Sequence, residues 1–331
     1  MASINIGQAF SRKAVSLLQW LLQQDIHVCL VQECGDPIVD NNWLHKLGYH
    51  CVISGRDHLG VCIVYKQTMT PLVTDRLEIG DSDNLRGRVQ GVIFTFNSCR
   101  TLLVSAYFPP DLDRCSDSSV NADIAREIYS TIDKWCSSAH RTIVGGDMNE
   151  TLTSNDRENR KVGSKYGRFI AEWAEGGWID CYRAVHPKYG FTCITPLPRG
   201  EISRSRIDYI WMYGFPLGSS PIRNASVGEM IPNLRTNHRP LLIGFDIDPQ
   251  EVFFPRIKRH LPNLRKATPE HKEQMVKNMV YLTKKRILDI AQGESKEVNS
   301  NLISEALNRC ALDSASRADP VRLFALLLFV V

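Results

Sequence analysis

The chain has no long hydrophobic run, no closely paired cysteines and no marked surplus of either charge. Its longest apolar stretch, 323–331, is about half of the ~20 residues a membrane-spanning helix needs, so no membrane partner is expected. Ten cysteines (Cys29, Cys34, Cys51, Cys62, Cys99, Cys115, Cys136, Cys181, Cys193 and Cys310) are scattered, several inside apolar runs, and none forms C-x-x-C. That scatter argues against a zinc module and a secreted disulfide framework. With no secretory signal at the start, the expectation is an intracellular protein with reduced, mostly buried thiols. Forty Lys and Arg against 36 Asp and Glu leave a net charge of +4, too small to name a polyanionic partner without clustering. G-x-G-x-x-G, G-x-x-x-x-G-K-[ST], H-E-x-x-H and G-x-S-x-G are also missing. Nucleotide-binding loops, zincins and serine hydrolases therefore lose their usual sequence support.

What is present is an ordinary globular composition, 43% hydrophobic, 23% charged and 8% aromatic over 331 residues, enough for a large core. Strand-like runs rich in β-branched or aromatic residues fall at 28–31, 61–65, 89–96, 101–108, 142–144, 206–212 and 241–247, bounded by turn residues. Apolar stripes at helical spacing fall at 13–23, 122–136 and 166–175. Many strands with few helices predict two packed sheets with helices on their outer faces. The character changes at 249. Pro249, Pro255, Pro262 and Pro269 interrupt a stretch carrying Arg256, Lys258, Arg259, Arg265 and Lys266, which reads as a basic linker over 249–268. Thr268, Pro269 and Glu270 then announce a helix, and 301–310 a second. The organisation is thus a domain at 1–248, the linker, and a short helical extension at 269–331.

Chemistry is offered by polar residues at strand ends. Glu33 follows the apolar run Val28-Cys29-Leu30-Val31-Gln32. A carboxylate at the mouth of a buried strand can hold a hard divalent cation while staying ionised, and equally fits a solvated charge. Gly145-Gly146-Asp147-Met148-Asn149 closes another strand. In extended backbone Asp147 and Asn149 would project the same way, the glycines leaving room for a substrate; the same residues also suit an Asx turn. Alternation along 205–211 puts Ile207, Tyr209 and Trp211 on one face and Arg206, Asp208 and Ile210 on the other. Asp208 then lies in a largely apolar strand and needs a partner. His238, in Thr236-Asn237-His238-Arg239-Pro240-Leu241, is the natural candidate. An Asp–His pair fixes the imidazole tautomer and leaves the other nitrogen for a phosphate or a proton, although a histidine at a strand start also fits a surface position.

Taken in order, six segments resemble the motif series of the endonuclease/exonuclease/phosphatase superfamily over roughly 1–248. They are Asn5 in Ile4-Asn5-Ile6-Gly7, Gln32-Glu33, Tyr107 in Ser105-Ala106-Tyr107-Phe108-Pro109-Pro110, Gly146-Asp147-Met148-Asn149, Arg206-Ile207-Asp208-Tyr209, and Asn237-His238-Arg239-Pro240-Leu241. The resemblance implies an α/β fold, a four-layered sandwich of two packed β-sheets flanked by helices. It also implies Mg²⁺, with Mn²⁺ able to substitute: Glu33 as main metal ligand with Asn5 nearby, and Asp147 orienting or deprotonating the attacking water. Asn149 and Tyr107 would hold the scissile phosphate, and Asp208 would orient His238, which contacts the phosphate as charge develops. Phosphodiester hydrolysis needs these roles on physical grounds too: a metal to neutralise charge, a positioned water and preorganised donors.

One position departs from the pattern: Asn237 stands where the superfamily usually has aspartate near the metal. An amide keeps an oxygen but loses a charge, which should weaken metal affinity or proton handling. The wording at 205–210 and 237–241, with Asp180-Cys181-Tyr182-Arg183, His186-Pro187 and Phe191-Thr192, looks most like the apurinic-endonuclease-like domains of non-LTR retrotransposons. This implies a DNA endonuclease, a DNA partner and, through it, the nucleus. A helical lead-in to a reverse transcriptase is usual in that branch, and nothing resembling the transcriptase precedes Val331. The chain is therefore expected to be an isolated or truncated element piece lacking that domain. Two alternatives stay open: a catalytically weakened nucleic-acid-binding remnant, and a phosphatase on small phosphoesters or lipid headgroups.

Overall fold

A computed structural model describes residues 1–245 apart from 36–40, 57–58, 80–81, 97, 113–115, 117–118, 159–166, 168, 189 and 216–220. The expected linker and helical extension lie outside the described residues. The first sheet contains β1 (Ala2–Asn5), β2 (Val28–Gln32), β3 (Tyr49–Arg56), β4 (Leu59–Lys66), β13 (Ile222–Val227) and β14 (Leu241–Phe245), in the order β13-β14-β1-β2-β4-β3. The second contains β5 (Val73–Leu77), β6 (Val89–Phe96), β7 (Cys99–Tyr107), β8 (Arg141–Asp147), β9 (Ile179–Asp180) and β12 (Asp208–Tyr213), in the order β5-β6-β7-β8-β12-β9. β10 (Cys193–Pro196) and β11 (Ile202–Ser205) form a separate hairpin. The helices are α1 (Phe10–Gln23), α2 (Asn41–Lys46), α3 (Val120–Cys136), α4 (Ile170–Glu175) and α5 (Cys181–Val185).

Period-two burial builds the layers. Along β2, Cys29 and Val31 pack outward with Leu17, Leu18 and Leu21 of α1, while Val28 and Leu30 pack inward between the sheets. Along β12, Tyr209 and Trp211 pack outward with Ile128 and Ile132 of α3 and Trp173 of α4, while Ile210 and Met212 face the other sheet. The result is the expected four-layered sandwich, each buried leucine or isoleucine contributing about 1.5–3 kcal/mol. α3 starts where Ser119 accepts the Ala122 N–H, a side-chain N-cap. Cys29, Cys34, Cys51, Cys62, Cys99, Cys181 and Cys193 are free thiols. No described helix is long and apolar enough to cross a membrane.

Several strands escaped the sequence because their pattern is weak. β1 is four residues long, and β5, a sheet edge, is exposed at three of its five positions. Two expectations are corrected. β12 begins at Asp208, not at Arg206, so alternation does not extend back across 206–207. The Arg206 guanidinium instead lies 4.2 Å from the centre of the Tyr209 ring, on the side opposite to Asp208's. The glycine pair leaves no room for substrate either. A Cβ on Gly145 would stand 2.6 Å from Leu30 Cδ1 of the other sheet, and one on Gly146 would stand 2.1 Å from the Ala106 carbonyl oxygen of β7.

Register sets up the site. β1 and β2 run parallel with Asn5 opposite Gln32; β7 and β8 run parallel with Tyr107 opposite Asp147; β12 runs antiparallel with Asp208 opposite Asp147. β14 lies antiparallel to β1, pairing Leu241 with Ser3, which brings the residues before Leu241 to the same end. Gly146→Ala is expected to lower the urea midpoint by the equivalent of about 1–3 kcal/mol or more, because the obstructing atom is backbone and cannot rotate away. An unchanged midpoint would show that the β7–β8 spacing is slack.

Candidate active site

Asn5 ends β1 and is buried. Its Nδ2 donates to Glu33 Oε1 at 2.9 Å and to Asp147 Oδ2 at 2.9 Å, while its Oδ1 accepts the Gly7 N–H at 2.9 Å. One amide group thus ties a carboxylate of the first sheet to one of the second. Glu33 leaves β2 in the left-handed region at φ 51°, a conformation a non-glycine residue keeps only under local constraint. The Tyr107 phenol, almost buried, donates to Glu33, and burial with the nearby Glu33 and Asp147 charges pushes it above its usual range.

Asp147 is 1% exposed. Burial, and then the Asp208 charge, push its carboxyl up to about 7. Asn149 also adopts the left-handed region, at φ 49°. Its backbone N–H donates to Asp147 Oδ1 at 2.9 Å and its Nδ2 donates to the Phe108 carbonyl at 2.9 Å. The extended reading of 147–149 is therefore corrected to an Asx turn: the chain bends because Asp147 takes the amide two residues on. Glu150 closes this loop on the far side, accepting the Phe169 and Ile170 N–H groups at the start of α4.

Asp208 is fully buried, and its backbone N–H donates to Thr192 Oγ1 at 3.1 Å. His238 Nδ1 lies 2.9 Å and 3.1 Å from the two Asp208 oxygens, and its Nε2 3.9 Å from Asp147 Oδ2. Burial alone would lower the imidazole, but Asp208 outweighs it and raises His238 well above the ordinary range. Asp147, Asp208 and His238 each offer a donor atom within 4.8 Å of the others. Asn237 turns its amide to a thiol. It is exposed, and its Nδ2 donates to Cys193 Sγ at 3.3 Å.

The sequence reading missed the supports. Thr236 Oγ1 donates to the Asn5 carbonyl and accepts the His238 N–H. Cys193 meets both Asn237 and His238. Arg206, fully buried, donates through Nε to Asp156 Oδ1 at 2.8 Å and sets Nη1 2.7 Å from Asp180 Oδ2. Asp156 also pairs with Arg183. Burial by itself would raise Asp156, but Arg206 and Arg183 hold it below its ordinary value. The signal in the sequence was an arginine inside the largely apolar run 206–212 that carries Asp208.

Two outcomes are expected. Arg206→Ala should cost about 3–5 kcal/mol in denaturant unfolding, because it leaves Asp156 and Asp180 buried without their shared cation; a cost below 1 kcal/mol would remove that network from the stability of the fold. With chelator present, the melting temperature should fall by several degrees from pH 5 to pH 8. A carboxyl raised from 3.8 to about 7 makes the folded state bind more protons than the unfolded one in that window. A raised histidine likewise loses its contribution as pH climbs past its ordinary value. The lowered Asp156 is fully ionised in both states above pH 5 and does not offset them. A flat or rising profile would contradict these directions.

The model of the Endonuclease/Exonuclease/phosphatase family matches residues 2–228. Among solved structures, an AP endonuclease from Archaeoglobus fulgidus superposes with a TM-score of 0.60 at 18% identity, covering 74% of this chain and 98% of the other. The 3′ phosphatase NExo from Neisseria bound to a product DNA hairpin gives 0.59 at 17% identity, covering 74% and 98%. The endonuclease domain of TRAS1, a telomere-specific non-LTR retrotransposon, gives 0.51 at 17% identity, covering 74% and 97%. At these identities the likeness is one of fold. No curated protein matches the chain.

Proposed function

Since the chain belongs to the Endonuclease/Exonuclease/phosphatase family, we propose that it is a divalent-metal-dependent phosphodiesterase, and among such enzymes a DNA endonuclease of retrotransposon type. The observation that carries this reading is the meeting, at one end of both sheets, of the Asn5-linked carboxylates of Glu33 and Asp147 with the Asp208–His238 pair. The DNA substrate is supported by the wording of the 205–210 and 237–241 segments and by the fold shared with TRAS1 and the AP endonuclease. We take the domain as 1–248, since β14, an inner strand of the first sheet, runs to Phe245.

The residues fit a hard cation. Asp147 and Asp208 converge on the His238 imidazole, Asn5 ties Asp147 to Glu33, every donor but the imidazole is an oxygen, and burial together with the Asp208 charge has pushed Asp147 up. Oxygen ligands without thiolate suit Mg²⁺ or Mn²⁺. Glu33 would hold the ion, with Asn5 beside it. Bound there, the ion would neutralise charge on the phosphoryl oxygens.

The chain's own groups supply the rest. Asp147, raised to about 7, is matched to taking a proton from the attacking water near neutral pH. His238, kept cationic by Asp208, offers its Nε2 proton to the phosphoryl oxygen where negative charge grows. Asn149, held by Phe108, has a second amide N–H to offer the phosphate, and Tyr107 orients the phosphate once its proton turns from Glu33 to it. The heavy atoms of these donors are fixed before substrate arrives, so little reorganisation accompanies the reaction.

A second reading, a weakened nucleic-acid-binding protein, is favoured by Asn237, whose amide is turned to Cys193. Nicking of supercoiled plasmid by the full chain separates the two. Nicking should need Mg²⁺, stop in EDTA, and fall about 10²–10⁴-fold in Asp147→Ala and His238→Ala. Glu33→Gln should abolish it with the fold intact, and full activity there would remove Glu33 from the site. Asn237→Asp should raise the rate. A folded chain that binds DNA without nicking it makes the second reading correct, and hydrolysis of small phosphoesters alone would replace DNA by a small phosphoester as substrate.

A further inference from the structure

Across the second sheet, register continues the catalytic row by one more strand. Asp208 faces Asp147, Asp147 faces Tyr107, and Val89 pairs with Ala106, so Arg88 lies opposite Tyr107. The Tyr107 N–H donates to the Arg88 carbonyl at 2.7 Å, which fixes that opposition. Residues directly opposite in a sheet project to the same face, so the Arg88 side chain shares the face of Tyr107, Asp147 and Asp208. Its guanidinium carbon lies 5.5 Å from the centre of the Tyr107 ring.

Arg88 has no acid paired with it among the described residues, and its buried Nη1 has no hydrogen-bond partner. Buried Arg206, by contrast, has two aspartates. Burial without a compensating acid lowers the Arg88 guanidinium from its ordinary value. A half-buried cation kept unpaired at the edge of an acidic site is poised for an anion the protein does not itself supply. Two strand spacings, about 10 Å, separate its backbone from that of Asp147. In the row Arg88 stands beyond Tyr107 as seen from Asp147, the direction in which the next phosphate along a strand would lie.

Resting on the phosphodiesterase reading above, we propose that Arg88 is a second phosphate subsite, which holds the phosphate neighbouring the scissile one and makes the substrate a polynucleotide strand. Substrates with a single phosphate would forgo this contact, and Tyr107 would stand between the two phosphates.

The full chain, Arg88→Gln and the charge-keeping Arg88→Lys are compared on a single-stranded DNA pentamer and on the matching dinucleotide, which has one phosphodiester. Binding of the fluorescent pentamer is also followed against NaCl in chelator. Arg88→Gln should reduce the pentamer-over-dinucleotide ratio of kcat/KM about tenfold, mainly through KM. It should also flatten the slope of log K against log salt by about 0.7, the loss of one single-strand phosphate contact. Arg88→Lys should keep most of that slope. A neutral methylphosphonate in the linkage beside the scissile one should reproduce the loss in the wild-type protein and add nothing in Arg88→Gln. If Arg88→Gln fails to fold, the methylphosphonate series on the wild-type protein decides alone.

Equal losses on both substrates with an unchanged salt slope would overturn the proposal and leave Arg88 as a prop for Tyr107. A wild-type protein that cleaves without Arg88 dependence overturns the subsite and keeps the phosphodiesterase. One that cleaves nothing yet binds with the Arg88-dependent slope does the reverse. Tighter Arg88-dependent binding of a soluble inositol bisphosphate than of the pentamer would overturn the nucleic-acid assignment.

Discussion

Two carboxylates that would repel one another are held together by a single side-chain amide. Asn5 reaches from the end of β1 to Glu33 on its own sheet and to Asp147 on the other, and Gly7 takes its remaining oxygen. Buried acids are costly unless hydrogen-bonded, so Asn5 offsets part of the cost of placing both charges where a cation can use them. The neighbouring supports serve the same constraint. Thr236 bonds Asn5 and His238 at once, and Asp208 keeps His238 cationic against its burial. The acidic centre is thus tolerated in part because both oxygens of Asp147 and both of Asp208 have donors before any ligand arrives.

The sandwich was legible where burial is strong and periodic. β2, β4, β6 and β7 are apolar enough to read directly, and the stripe of α1 is plain once Leu17, Leu18 and Leu21 are set at helical spacing. β5 and β13 were not legible, because an edge strand such as β5 or a strand alternating with polar residues such as β13 carries little hydrophobic signal. Strand ends were the other weak point. Asn149 and Arg206 both sit one or two residues beyond a ladder, where period two no longer applies and a side-chain hydrogen bond or an ion pair decides direction.

The candidate site was legible as a list of residue types and illegible as a set of contacts. Asp208 in an apolar strand announces a missing partner, and His238 supplies it. Nothing along the chain pairs Arg206 with Asp156 and Asp180, or Cys193 with Asn237, because those contacts are made by loops and a hairpin whose course depends on the finished fold. Arg88 is of the same kind. Its meaning comes from standing across from Tyr107 and from lacking the acid that Arg206 has.

The bond from Asn5 to Asp147 spans the gap between sheets, whereas its bond to Glu33 stays within one. Neither sheet therefore owns the centre. A partial loosening that left every strand and helix intact, but let the two layers part by the length of one hydrogen bond, would be silent to spectroscopic probes of backbone structure and would still dismantle the acid pair. Function in such a molecule reads out the contact between layers, a far narrower condition than being folded.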